Sequence, residues 1–90
     1  MKSLQKLVVF LDEISQKEQD TPKEVLAGYI VGELLGDYDN IYSKLRESNP
    51  KVERIADLAS DLEWSNGSEE ELDAMWQELQ VLTQELRSEK

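Results

Sequence analysis

The sequence has no cysteine, no histidine and, over residues 55–86, no lysine or arginine. Without cysteine there are no disulfides, no thiol chemistry and no cysteine metal site, although the redox compartment stays open. Without histidine the commonest general base, the commonest metal ligand and the usual pH switch are missing. Nucleophilic catalysis on the usual plan sets a Ser, Cys or Thr beside a base, and only lysine or a carboxylate remains for that role. Proline and glycine are scarce, at two and four residues, and no tract is of low complexity, so the chain reads as folded throughout apart from its ends. Long apolar runs are missing too. Residues 7–11 follow Lys2 and Lys6 as a signal peptide's core would, but Asp12 and Glu13 come at once and no small-residue cleavage site follows. Residues 25–35 contain Glu33 and are too short to span a bilayer. The expected location is the cytoplasm.

What is present is acid. The 90 residues, read as one domain over 1–90, carry 20 acidic and 10 basic side chains for a net charge of −10. The excess is uneven: −1 over residues 1–30, −2 over 31–60 and −7 over 61–90. Nucleic acid and anionic lipid both require cationic surface, so direct binding to either is disfavoured.

Apolar residues recur at helical spacing from end to end. Leu4, Leu7, Val8, Leu11 and Ile14 share one face of a helix over about 3–18, with Ser3 as its cap. Val9 and Phe10 lie off that face, and burial of this helix on two sides is the favoured reading. Thr21-Pro22-Lys23-Glu24 starts a second helix, with Thr21 as cap, Pro22 at the first helical position and Glu24 closing a capping box. Gly28, Gly32 and Gly36 recur every four residues along it and suggest close approach of a neighbouring helix; Gly36 alternatively ends it. Residues 37–47 form either a separate short helix or a kinked continuation. Asn49-Pro50 starts a helix over about 50–63 with Val52, Ile55, Ala56, Ala59 and Leu62 on one face. After the Ser65-Asn66-Gly67 turn, Ser68 caps a last helix whose stripe is Leu72, Met75, Trp76, Leu79, Leu82 and Leu86, with Glu71 completing a capping box. No strand signal is found. The fold class is therefore all-α, a compact bundle of four or five helices with short loops. Its expected core is Leu7, Leu11, Ile14, Leu26, Ile30, Leu34, Ile55, Leu62, Leu72, Met75, Trp76 and Leu79.

Motifs for chemistry are few. Asp37-Tyr38-Asp39-Asn40 opens like a calcium loop, but Tyr42 stands where glycine is required and Ser48 where the bidentate glutamate is required. Glu70 and Asp73 form an E-x-x-D pair, and Glu53, Asp57 and Asp61 an acidic stripe at i, i+4 and i+8. E-x-x-D is one half of the Mg²⁺ signature of all-helical nucleotide pyrophosphohydrolases, so the chain partly resembles that family. The E-x-x-E that its facing helix would supply is absent. The simpler reading of the stripe is a solvated helix face. The expectation is a protein that is not an enzyme and takes no metal or other cofactor, with a carboxylate–Mg²⁺ helical-bundle enzyme of the pyrophosphohydrolase type as an alternative.

In size, acidity and helical make-up the chain is similar to small bacterial immunity proteins and antitoxins, which neutralise basic nucleases; the likeness is one of character and rests on no motif. It agrees with the charge argument. A one-sign field speeds encounter with a cationic partner and repels acidic ones. The expected partner is a basic protein, and the expected contact residues are Asp57, Asp61, Glu63, Glu69, Glu70, Asp73 and Glu78, with Trp64 as an aromatic anchor. A simpler reading tucks Trp64 over the end of the core and leaves the charge to solubility. A homodimer through apolar residues left over from the first or last helix is the remaining alternative.

Overall fold

Helix punctuation and apolar spacing together build the structure, a computed structural model that describes residues 2–35 and 42–89, with the side chains of Lys2 and Ser3 left aside. The described residues form five α-helices in order: α1 (Lys2–Gln16), α2 (Lys23–Leu35), α3 (Ser43–Ser48), α4 (Pro50–Trp64) and α5 (Glu69–Glu89). No strand occurs among the described residues, and the all-α class holds. The Gly36 alternative, the opening of the calcium-loop segment and the join between α2 and α3, on which the choice between a separate helix and a kinked continuation of α2 turns, lie outside the described residues.

The local chemistry explains where helices begin. Asn49 is extended because it precedes Pro50, which disfavours helical backbone in the residue before it. It thus closes α3, its amide donating to the Leu45 carbonyl at 2.9 Å. It also opens α4, its side chain accepting from the Lys51 amide at 3.1 Å with Pro50 in the first turn. Ser68 caps α5 by accepting from the Glu71 amide at 3.3 Å. At α2 the first helical hydrogen bond runs from the Leu26 amide to the Pro22 carbonyl at 3.1 Å. Pro22 therefore stands just outside the helix rather than at its first position.

α2 packs chiefly on α4, α4 on α5, and α1 on α5, with α3 against α4. The Cα radius of gyration is 12.3 Å, close to the roughly 12 Å of a fully collapsed chain of this length. The buried cluster joins Leu4, Leu7, Val8, Leu11 and Ile14 of α1 to Leu26, Ile30 and Leu34 of α2, Ile55 and Leu62 of α4, and Trp76 and Leu79 of α5. Leu72 and Met75, expected inside, are only partly buried at its edge. α1 is not buried on two sides: Val9 is 53% exposed and Phe10 half-buried. Val9 is two residues from both Leu7 and Leu11, about 200° round the helix from each, so it faces away from the core.

The glycines also depart from expectation. A Cβ at Gly28 would meet only the Glu63 carboxylate, 2.7 Å from its Oε2, the far end of a flexible side chain. A Cβ at Gly32 would meet nothing within 4 Å. Among the described residues no neighbouring helix backbone presses on either, so close approach of a described helix does not explain them. Glycine in a helix interior costs about 1 kcal/mol relative to alanine, and at Gly32 nothing within the described residues offsets it.

Candidate functional site

α4 and α5 are joined by a tight turn. Ser65 leaves the helical conformation, its Oγ accepts from the Gly67 amide at 2.9 Å, and the Glu71 carboxylate lies over Gly67. The turn brings the C-terminal end of α4 and the N-terminal end of α5 to one end of the bundle. The acidic residues singled out from the sequence are divided by this arrangement into two groups.

The first group is engaged within the chain. Glu78 holds Arg54 in a two-pronged pair, 2.7 Å to Nε and 3.2 Å to Nη2. The guanidinium pulls the Glu78 carboxyl below its ordinary value, and Glu78 in turn raises Arg54, with further help from Asp57 and Asp61. Asp73 pairs with Lys23 of α2 at 3.0 Å and raises its pKa, chiefly through the hydrogen bond. Glu63 turns toward α2 and lies beside Gly28. Glu78 and Asp73 thus fasten α4 and α2 to α5.

The second group is Asp57, Asp61, Trp64, Glu69 and Glu70, all exposed. Among the described residues none of its four carboxylates has an ion-pair partner. Asp57, Asp61 and Trp64 fall at i, i+4 and i+7, hence on one face of α4. Trp64 is 77% exposed, so it does not tuck over the core. The turn of α4 that carries it holds acids and no base. Acids there oppose the negative end of the helix dipole, at about 0.3–1 kcal/mol each. Glu69 and Glu70 have a local reason, since the first turn of α5 favours negative charge. Asp61 adds only to the field around Arg54, and Trp64 has no such reason among the described residues.

The E-x-x-D pair does not assemble a metal centre. Asp73 is turned to Lys23, and among the described residues no group of three or more His, Cys, Asp or Glu side chains converges to hold an ion. An open depression of about 210 Å³ beside it is lined by Pro22, Lys23, Glu24, Glu69, Leu72 and Asp73. Its only cation is already paired with Asp73. No helix among the described residues is long and apolar enough to cross a membrane.

Sequence reasoning missed the outer face of α2, where Val25, Tyr29 and Leu35 are exposed. The signal was available: this helix is apolar all round, with only Lys23, Glu24 and Glu33 charged, and such a helix in a small bundle cannot hide every face. Comparison with protein-family models, with curated proteins and with solved structures finds no match to this chain.

Proposed function

We propose that this chain is a non-enzymatic binding module that presents the outer face of α4 and the start of α5 to a basic protein. An inhibitor that neutralises a cationic enzyme, as small immunity proteins and antitoxins do, is the class of activity that fits. One observation carries the reading: Trp64 stands 77% exposed on the same helix face as Asp57 and Asp61, whose carboxylates have no ion-pair partner among the described residues. Interface energy concentrates in aromatic anchors, and surrounding charge sets the rate and specificity of encounter. Broken local rules without a compensating gain are where a binding role is expected, and an exposed indole beside acids at a helix C-terminus breaks two.

The paired residues are poor choices for a test, since reversing Asp73 or Glu78 would also unfasten α2 or α4 from α5. The informative variants are Asp57→Lys, Asp61→Lys and Glu70→Lys, with Trp64→Ala. A basic partner captured from native lysate supplies the binding assay. The charge reversals should slow association at low salt, and the difference should vanish near 1 M, where the Debye length is about 3 Å. Trp64→Ala should act on dissociation instead and weaken the complex by about 2 kcal/mol or more. Association at low salt that is unchanged in all three reversals would leave the charge to solubility alone.

A further inference from the structure

The turn between α4 and α5 holds a reactive pair. An asparagine side chain can be attacked by the main-chain nitrogen of the residue that follows it. Of the chain's three asparagines, Asn40 precedes Ile41, Asn49 precedes Pro50 and Asn66 precedes Gly67. Isoleucine obstructs the attack with its branched side chain, and proline has no N–H to lose. Glycine has no side chain to stand in the way. Asn66 is exposed, and both it and Gly67 lie between the end of α4 and the start of α5. The Gly67 nitrogen is therefore not locked into a helical hydrogen-bond ladder. We propose that Asn66 is a site of spontaneous deamidation whose rate is set by Ser65 and Glu71.

The Gly67 nitrogen loses its proton to solvent and bonds to Asn66 Cγ. The side-chain nitrogen takes up a proton and leaves as ammonia. The resulting five-membered imide joins Cγ and the main-chain carbonyl carbon of Asn66 to the one Gly67 nitrogen. Water then opens the ring at either carbon. Opening at Cγ leaves aspartate. Opening at the main-chain carbon leaves isoaspartate, in which the chain runs through Cβ and Cγ and is one carbon longer. Water is the only co-reactant, and nothing is oxidised or reduced.

Two neighbours slow the first step. The Gly67 amide donates to Ser65 Oγ at 2.9 Å, so its proton is removed from a bonded nitrogen. The Glu71 carboxylate lies over Gly67 from the first turn of α5, and its charge opposes negative charge on the attacking nitrogen. Ser65 ends α4 and Glu71 begins α5, so both contacts hold only while the two helices stay docked at the turn. Either product adds one carboxylate between Trp64 and Glu69 to a chain of net charge −10. The consequence for binding rests on the role proposed above for that surface; the modification does not.

The full chain is incubated warm at neutral pH, mapped by peptide mass and labelled with a protein isoaspartate methyltransferase. Ammonia loss with isoaspartate at residue 66 is expected, slower than in the urea-unfolded chain. Ser65→Ala should speed it by roughly two- to tenfold, the range that one ordinary hydrogen bond is worth. Glu71→Gln should speed it by a similar factor, and Asn66→Ser should abolish it with the helical circular dichroism kept. A folded chain still unmodified when the unfolded chain has fully converted overturns the site. Equal rates in the parent, Ser65→Ala and Glu71→Gln chains overturn the two brakes. Asn66→Asp should associate faster than the parent with a basic partner at low salt. An unchanged association rate beside intact deamidation overturns the consequence for binding and leaves the site standing.

Discussion

Leu79 and Trp64 show how differently two large side chains serve the same molecule. Leu79 is fully buried in the central cluster, so truncation to alanine removes its transfer free energy and leaves a cavity. The expected cost is about 2–5 kcal/mol. Trp64 buries little on folding, and its removal should change stability by no more than about 0.5 kcal/mol. Gly32→Ala should act in the other direction. Its Cβ meets nothing, and helix propensity favours alanine by about 1 kcal/mol. Urea unfolding of the three variants gives these differences directly. A large loss in Trp64→Ala would mean that the indole supports the fold after all. The exposure of Trp64 was within reach of sequence reasoning. Ending α4 at residue 63 sets Trp64 beyond the helix, where it is free to fold over the core. The helix runs one residue further, and Trp64 then lies two residues past buried Leu62, about 200° round the cylinder.

At the scale of elements, spacing and caps were legible and interhelical pairing was not. The apolar stripe of α1, the Asn49 and Ser68 caps and the inner face of α4 all stand where periodicity and capping chemistry put them. Periodicity records which side of a helix is apolar but not which helix lies against it. Nothing in the order of residues says that Arg54 meets Glu78, that Lys23 meets Asp73, or that Lys51 reaches Glu89 at 2.6 Å. Those pairings removed Asp73 and Glu78 from the unpaired candidate surface. They also give the fold a pH response. Arg54 lowers the Glu78 pKa, while Lys51 and Asn49 lower that of Glu89, both from an ordinary value of 4.5. A carboxyl depressed in the folded state contributes stability above its unfolded pKa, and that contribution is lost as pH falls through the folded value. Both groups are on the surface, where solvent screening keeps the effect small. Glu78→Gln and Glu89→Gln should lower the melting temperature slightly at pH 7, and the gap to the parent chain should close below about pH 4.5. A gap that persists in acid would show that packing, not charge, is responsible.

At the scale of the whole molecule, the excess of acid sets two effects of salt against each other. Added salt weakens the surface ion pairs, which solvent already screens, and it also screens the mutual repulsion of a chain with net charge −10. Acids outnumber bases two to one, so repelling pairs outnumber the few fastened ones, and relief of repulsion should win. Moderate NaCl is therefore expected to raise the melting temperature at neutral pH. Divalent cations separate screening from binding. Screening depends on ionic strength, whereas a site that holds Mg²⁺ in the folded state adds stabilisation that grows with the ratio of free ion to its dissociation constant. Glu70 and Asp73 are the carboxylates whose spacing admits such a site, and Asp73 is already held by Lys23. Millimolar Mg²⁺ or Ca²⁺ should thus raise the melting temperature no more than NaCl of equal ionic strength. An ion-specific rise, abolished in Glu70→Gln with Asp73→Asn, would show that the Lys23 pair yields to a metal. It would move the carboxylate–magnesium reading ahead of the binding module.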